Sequence, residues 1–337
     1  FRVRKRWYHE KNGRNGEQAM KIAVFGTAFV DIKGHPSDAY IPGRCNAGSV
    51  ELLHGGVGRN VAEDIANAGL RPAFIGLVDD TDAGAAVLQR LRARGVDTAD
   101  VRAVRDGMGM WMVVFDHGGN KAAAISKRPD LRSILRILEE QGGEIVSRAD
   151  SIALEIDMDR EVVERVFALA EKHHKPVYAV VSNASAAAER RGFFRATHCL
   201  VCNQQEAGIL FSEDYDGKTL EEMQRILSAR VRGADIPRMV VTMGAQGAVY
   251  ASADGEEGRC LAKKADVKDT AGAGDAFFAG VTIGLTCGKT MAVACEIGAR
   301  LAASVVRTAE NVCPRFLPGE LGIEVGGPER GQIKTEP

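Results

Sequence analysis

The stretch Asp269-Thr-Ala-Gly-Ala-Gly-Asp-Ala-Phe-Phe-Ala-Gly280 carries the strongest signal in the sequence. Two glycines flank one small residue and lead into an apolar segment with helical character. A helix that starts from such a turn presents backbone N–H groups with no partner inside the helix, and its dipole adds partial positive charge there. Small residues also let a phosphate approach the backbone closely. The stretch therefore predicts an anion site at the N-terminus of a helix.

Asp275 stands at the mouth of this predicted anion site. A carboxylate repels a phosphate, so a site that only binds phosphate gains nothing from it. A hydroxyl that attacks the phosphate must lose a proton, however, and a carboxylate placed there can accept it as a general base. The alternative is an aspartate that caps an ordinary helix. We favour the catalytic interpretation, although the spacing alone leaves both open.

Three further segments follow apolar runs that are typical of strands. Thr242-Met-Gly-Ala-Gln-Gly247 suits a nucleotide loop, although a plain turn also explains it. Asn203 and Glu206 could hold hydrated Mg²⁺, could cap a helix, or could do both. Asp31 could accept two hydroxyls of a sugar, because ligands of open α/β sheets bind where the strands end. A turn aspartate is the alternative there.

His54-Gly-Gly-Val-Gly-Arg-Asn60 opens a segment with helical periodicity. Its paired glycines, Gly55 and Gly56, would let the backbone reach a ligand. The side chains of Arg59 and Asn60 offer directed hydrogen bonds to that ligand. The alternative is a loop whose glycines serve only a positive φ.

Apolar strand-like runs and amphipathic helices alternate over residues 20–320, which predicts a parallel sheet covered by helices. Two segments interrupt this alternation. Residues 33–54 are rich in Gly, Pro and Ser, and residues 108–126 have the pattern of a β-hairpin. Together they predict a small second sheet beside the main one. We expect residues 1–19 to be an extension outside the fold and residues 321–337 to be a C-terminal tail.

The composition restricts the class of protein. Among 337 residues, 44 Lys and Arg balance 45 Asp and Glu, which gives no general attraction for nucleic acids or anionic membranes. Apolar runs stay too short to span a bilayer. Seven Cys, an odd number in a chain too large to need disulfides, indicate reduced thiols, the pair Cys199 and Cys202 included. We expect a cytoplasmic protein that acts on a small molecule and binds neither nucleic acid nor membrane.

Two motifs of other nucleotide-binding classes fail on their spacing. Gly284-Leu-Thr-Cys-Gly-Lys-Thr290 has three residues between its glycines, whereas a P-loop has four, and it follows a helical pattern. Gly107-Met-Gly109 is followed by Met112 where a dinucleotide fingerprint has glycine. An NAD-dependent oxidoreductase is therefore a poor interpretation.

Over roughly residues 20–317 the sequence resembles the ribokinase-like (PfkB) family of carbohydrate and nucleoside kinases. The resemblance implies a three-layer αβα Rossmann-like core, with residues 33–54 and 108–126 forming a β-sheet lid over the substrate. It implies ATP and Mg²⁺ as cofactors and leaves a monovalent cation such as K⁺ open. The ordered segments that carry it are Asp31, Gly55-Gly-x-x-x-Asn60, Asn203-x-x-Glu206, Thr242-x-Gly-x-x-Gly247 and Asp269-Thr-x-Gly-Ala-Gly-Asp275.

The same resemblance implies a role for each matching residue. Asp275 is implied to be the catalytic base, and Asn203 and Glu206 are implied to order metal and phosphate. The other implied sets are the anion hole of Ala271, Gly272, Ala273 and Gly274, the nucleotide loop of Thr242, Gly244 and Gly247, and the substrate contacts Asp31, Gly55, Gly56, Arg59 and Asn60.

Within the family, the segment after Gly55 and the segment Asp31-Ile-Lys-Gly34 are most similar to pseudouridine kinases. This similarity implies transfer of the ATP γ-phosphoryl group to a hydroxymethyl oxygen of pseudouridine. Ribose, a fructose-type sugar or another nucleoside are the alternative acceptors. Val180-Val-Ser-Asn183 departs from the family, where relatives often carry Asp and Pro, and this departure leaves the acceptor open.

Two expectations about binding remain. A sensor that binds a nucleoside or sugar on the same fold is the alternative without catalysis, although such a sensor has no need of a base at Asp275. The resemblance also implies a homodimer through the lid, with Met108, Met110 and Met112 at the contact. A strand face packed within the chain is the other explanation for these methionines.

Overall fold

The computed structural model describes residues 20–118 and 121–323. Its strands are β1 (Lys21–Phe25), β2 (Phe29–Pro36), β3 (Gly48–Gly55), β4 (Arg71–Ile75), β5 (Leu77–Asp79), β6 (Arg102–Val104), β7 (Gly109–Phe115), β8 (Lys121–Lys127), β9 (Ser151–Glu155), β10 (Val177–Val180), β11 (Cys199–Asn203), β12 (Arg238–Thr242), β13 (Gly247–Ser252) and β14 (Glu257–Leu261). Its α-helices are α1 (Val57–Asn67), α2 (Asp82–Arg94), α3 (Arg132–Glu140), α4 (Gly142–Arg148), α5 (Arg160–Lys172), α6 (Ala184–Ala188), α7 (Gln204–Phe211), α8 (Leu220–Gly233), α9 (Ala273–Thr286) and α10 (Met291–Val305).

A central sheet organises the described residues, with the strand order β14-β13-β12-β11-β10-β9-β1-β4. The strands from β12 to β4 are parallel, and β13 and β14 add an antiparallel hairpin at one edge. Every residue of β9 and β10 is buried, because helices cover both faces of a parallel sheet. The α/β fold predicted from the sequence is confirmed.

Successive side chains of a strand pack into different halves of the core, one on each face of the sheet. Ala23 and Phe25 of β1 belong to one cluster, and Ile22 and Val24 belong to the other. Cys199 and Cys202 also lie in different clusters, on opposite faces of the sheet, and both are buried free thiols. The segment Gly284–Thr290, which resembled a P-loop, contains the end of a helix, since α9 ends at Thr286.

A second sheet, which we call the lid sheet, has the strand order β3-β2-β7-β8. Strand β2 pairs antiparallel with β3 and parallel with β7, and β7 pairs antiparallel with β8. The lid sheet begins earlier than the sequence pattern indicated, because Phe29 already pairs with Gly55 and Gly109. A short separate sheet of β5 and β6 lies elsewhere in the described chain.

The predicted extension over residues 1–19 lies outside the described residues, as does the predicted C-terminal tail except for residues 321–323. Within the part of the chain that the structure describes, the helices are all too short or too polar to traverse a bilayer.

Candidate active site

A cavity of about 470 Å³ lies where the lid sheet meets the carboxyl ends of the central strands. The register of the lid sheet explains part of its lining, since Asp31, Trp111 and Ser126 stand opposite one another and all three face the cavity. The predicted site residues that line it are Asp31, Gly56, Asn60, Ala271, Gly272 and Asp275.

Asp275 lies in the first turn of α9 and is joined to α1 by a hydrogen bond. The Asn60 amide donates to the Asp275 carboxylate, with 2.7 Å between Nδ2 and Oδ2. Burial raises the pKa of Asp275 to about 6, although the hydrogen bond from Asn60 and the charge of Arg59 lower it. At neutral pH this carboxylate is therefore ionised and still basic enough to accept a proton, as a general base requires.

Two residues that line the same cavity have oxygen atoms that can accept further hydrogen bonds. The amide oxygen of Asn60 is buried and has no hydrogen-bond partner among the described residues. Burial raises the pKa of Asp31, while the nearby charges of Arg59 and Lys33 lower it. A Cβ at Gly55 would lie 2.2 Å from the Asp31 carboxylate, so only glycine leaves room for that side chain. Asp31 and Asn60 can therefore accept hydrogen bonds from ligand hydroxyls.

The turn before α9, residues 269–274, is called the anion turn below. Gly272 has φ +80°, and a Cβ there would lie 1.9 Å from the Asn311 carbonyl oxygen. Two of the four predicted anion-hole amides are already paired, because Ala271 donates to Asp269 Oδ1 at 2.9 Å and Ala273 donates to a carbonyl of the turn at 3.3 Å. The tightness of the turn causes this pairing. Gly272 and Gly274 keep their N–H groups without a partner among the described residues.

Arg59 does not fit its predicted role as a substrate contact, because its side chain is completely buried. Its guanidinium pairs with Glu63 at 2.8 Å and donates to the carbonyl oxygens of His54 and Gly55. It also donates to Asn311 Oδ1 at 3.1 Å. A buried guanidinium needs such partners, and Glu63 lies one helical turn away. Arg59 therefore fixes the backbone around the cavity without facing it.

A polar cluster at the ends of β9 and β10 was missed by the sequence analysis. Glu155 accepts the backbone N–H of Thr27 at 2.9 Å, and the Ser182 hydroxyl lies within hydrogen-bond distance of both Glu155 and Asp157. Burial and the charge of Asp157 raise the pKa of Glu155, and burial raises that of Asp157. Both acids could have been found from their place at a strand's carboxyl end, the argument applied to Asp31.

The two aromatic side chains of the cavity, Phe29 and Trp111, were also missed. Both belong to the lid sheet and face the cavity from strands β2 and β7. Their positions in apolar runs look like core positions in the sequence, so only the strand register reveals where they face. Aromatic faces at this place can stack on a flat ring.

A second cavity, of about 910 Å³, is lined by Asn203, Thr242 and Gly244 among others. Gly247 does not line it and instead forms the turn into β13, where φ is +118° and a Cβ would lie 2.1 Å from a carbonyl oxygen. Asn203 and Glu206 form a capping box, in which each side chain accepts the other's backbone N–H at 2.8 Å. The capping interpretation of this pair is therefore correct, and a second role for its free atoms stays a prediction.

The residues present fit a hydrated Mg²⁺ better than a directly ligated one. No group of three His, Cys, Asp or Glu in the described residues could hold a metal ion. Burial, together with the charges of Asp157 and Asp275, raises the pKa of Glu206 to about 7, so a nearby cation would favour its ionised form. Mg²⁺ usually keeps several waters and takes most of its other ligands from phosphates. Glu206 and Asn203 can contact those waters.

Comparison with known proteins agrees with this arrangement. The model of the pfkB family carbohydrate kinases matches residues 19–312. Guanosine-inosine kinase of Exiguobacterium acetylicum is 34% identical over 86% of this chain and 96% of its own length. Pseudouridine kinase of Escherichia coli K12 is 25% identical over 77% of this chain and 82% of its own length.

Solved structures share the fold at lower identity. The ribokinase of Arabidopsis thaliana, solved with ribose and ATP, has a TM-score of 0.75 at 20% identity, over 90% of this chain and 98% of its own. The adenosine kinase of Sinorhizobium meliloti has a TM-score of 0.72 at 22% identity, with the same coverage of the two chains. The family match and the 34% identical relative cover most of the chain. The chain is a kinase and belongs to the pfkB family of carbohydrate kinases.

Proposed function

We propose that this kinase transfers the γ-phosphoryl group of ATP to a hydroxymethyl oxygen of a nucleoside or sugar, with Asp275 as the general base. The observation that carries the proposal is the meeting of Asp275, Asn60, Asp31 and Gly272, whose N–H group is free, in one cavity. The cavity thus holds oxygens that can accept hydrogen bonds from an alcohol, an N–H group that can donate to a phosphoryl oxygen, and a carboxylate. Such an arrangement brings an alcohol and a phosphoryl group together beside a base.

The roles of the chain's own residues follow from this geometry. Asp31 and Asn60 Oδ1 would bind hydroxyls of the acceptor, and Asp275 would take the proton of the attacking hydroxyl. The N–H groups of Gly272 and Gly274 would stabilise charge on the phosphoryl oxygens as it moves. ATP would lie along Thr242 and Gly244, and bound Mg²⁺ would neutralise phosphate charge, with Asn203 and Glu206 contacting its waters.

We propose a nucleoside as the acceptor, in preference to a free sugar. Phe29 and Trp111 give the cavity two aromatic faces, on which a flat nucleobase can stack over a larger area than a pentose ring. The guanosine-inosine kinase relative is more similar to this chain than the pseudouridine kinase relative. We therefore place guanosine and inosine before pseudouridine, which the sequence segments alone suggested.

The experiment is transfer of labelled phosphate from [γ-³²P]ATP to guanosine, inosine, pseudouridine, uridine, ribose and fructose side by side. We expect a nucleoside to give the highest kcat/KM, with the oxopurine nucleosides first. A free sugar as the best acceptor would contradict the nucleoside assignment. Binding of an acceptor without any transfer would favour the sensor instead. ATP hydrolysis without acceptor serves as the background.

The pH dependence of kcat/KM tests the assignment of the base. Because Asp275 must be ionised to accept a proton and has a pKa of about 6, activity should fall as the pH drops below about 6. Asn60→Ala removes a hydrogen bond that lowers this pKa, so the acid limb of the profile should move to higher pH. An acid limb at the same pH in the variant would contradict the assignment.

We also propose that two copies associate through the outer face of the lid sheet. Leu52, Ile32, Met112 and Ile125 stand in one row across the four strands. Leu52 is 69% exposed and Ile125 is 72% exposed, and Met110 and Val50 extend the apolar surface. A contiguous apolar surface of this kind is typical of an interface. Met108 does not belong to it, since only 2% of that residue is exposed.

Met112→Asp should shift the protein from dimer to monomer, because a charge at the centre of an apolar interface loses its hydration. Light scattering coupled to size-exclusion chromatography measures the mass directly. Val293→Asp is the matched control, since Val293 is also an exposed apolar residue but lies on α10. A wild-type chain that runs as a monomer at micromolar concentration would refute the dimer.

A cytoplasmic location stays a proposal, supported by the thiols. All seven cysteines lie in the described residues and are free, which suits a reducing compartment.

A further inference from the structure

An ion pair joins the lid sheet to the anion turn across 236 residues of sequence. The ammonium of Lys33 on β2 lies 2.7 Å from Asp269 Oδ2. The Lys33 side chain is only 7% exposed, and that of Asp269 is 37% exposed. A buried ammonium is costly unless it is paired, so the fold must place a carboxylate there. The anion turn is thereby fastened to a strand of the lid sheet.

Both oxygens of Asp269 are committed to this connection. Oδ2 accepts from Lys33, and Oδ1 accepts the backbone N–H of Ala271 inside the anion turn at 2.9 Å. Burial would raise the pKa of Asp269, but the hydrogen bonds from Lys33 and Ala271 and the charge of Lys33 keep it below its usual range. An ionised carboxylate is the stronger acceptor for the Ala271 amide. Lys33 therefore acts on the backbone of the turn through Asp269.

We propose that Lys33 is a positioning residue for phosphoryl transfer, whose ammonium holds Asp269 and thereby sets the free amides of the anion turn toward the cavity. The proposal rests on the proposed function, because the turn binds a phosphoryl group only if that function is correct. Lys33 lies two residues after Asp31 on the same face of β2, so the strand that would bind the acceptor is tied to the turn that would bind the phosphoryl group.

Lys33→Met tests this role in the full-length chain. We expect kcat to fall about 10- to 100-fold, as misplacing a catalytic group does, while the KM of the acceptor changes much less. Lys127→Met is the matched control, since Lys127 also lies on the lid sheet in an ion pair, with Asp106, but both partners are exposed. The control variant should keep its kcat.

A double-mutant cycle and chemical rescue separate positioning from a general loss of stability. The double variant Lys33→Met/Asp269→Asn should have a kcat no lower than that of the more damaging single variant, because both substitutions break the same ion pair. Ammonium or methylammonium chloride should restore part of the kcat of Lys33→Ala, whose shortened side chain leaves room for the amine, whereas sodium chloride at equal ionic strength should not. Losses that multiply in the double variant, or an unchanged kcat in Lys33→Met, would overturn the proposal.

Amide hydrogen exchange provides a readout that needs no activity. Peptides covering the anion turn should exchange faster in Lys33→Met than in the wild type, while peptides of α5 should not change. Equal exchange of the turn in both proteins would overturn the positioning role even if no acceptor is ever phosphorylated. A wild type that transfers phosphate to no acceptor, with faster exchange in the variant, would instead refute only the proposed function.

Discussion

Asp275→Asn should lower kcat by about 10²- to 10⁴-fold while acceptor binding is largely kept. The substitution retains the shape of the side chain and an oxygen that can accept from the Asn60 amide, 2.7 Å away in the wild type. It removes the ability to take a proton near neutral pH. The attacking hydroxyl then has no acceptor for its proton at the moment the phosphoryl group moves, so the loss should appear in kcat.

Steady-state kinetics with the best acceptor and calorimetric titration of that acceptor measure the two halves of this expectation. Asp82→Asn is the matched control, because Asp82 also lies in the first turn of a helix, α2, where it interacts with the helix dipole. If Asp275 acted only as a helix-terminal charge, both variants would lose similar stability and neither would lose kcat. That outcome would leave the anion turn without a catalytic partner.

The sequence predicted the parts of this site that depend on local geometry. A glycine turn followed by a helix is specified within a few residues, and Asp275 follows from its place in that helix. Likewise Asp31 is marked by its position just beyond a buried strand. Gly272 and Gly55 are glycines for reasons that span the fold, because Asn311 and Asp31 occupy the space that their side chains would need.

The residues that were missed or assigned wrongly depend on distant parts of the chain. Arg59 looks like a ligand contact in the sequence because its charge is visible. Glu63 stands only four residues later, but the burial of this pair and its contact with Asn311, 252 residues away, are recognised only in three dimensions. Phe29 and Trp111 look like core residues in the sequence because they are apolar and stand in apolar runs, although both face the cavity. Strand register, which decides the face of each side chain, cannot be read from one strand alone.

Gly272→Ala should lower kcat by about 100-fold, because it displaces the turn whose amides would hold the phosphoryl group. A Cβ at this position would lie 1.9 Å from the Asn311 carbonyl oxygen, and that backbone atom cannot rotate away. The φ of +80° adds strain of about 1–3 kcal/mol for a residue with a side chain. Thermal unfolding should therefore show a lower melting temperature together with the kinetic loss.

Gly288→Ala separates the kinetic loss from the loss of stability. Gly288 follows the other end of α9 with φ +72°, and a Cβ there would meet no atom within 4 Å. The only expected cost in that variant is the strain of a positive φ in a residue with a side chain. Its melting temperature should therefore fall while its kcat stays at the wild-type value. Equal kcat in the two glycine variants would mean that the geometry of residues 269–274 does not govern phosphoryl transfer. A selective loss in Gly272→Ala would tie the rate to the position of the free amides.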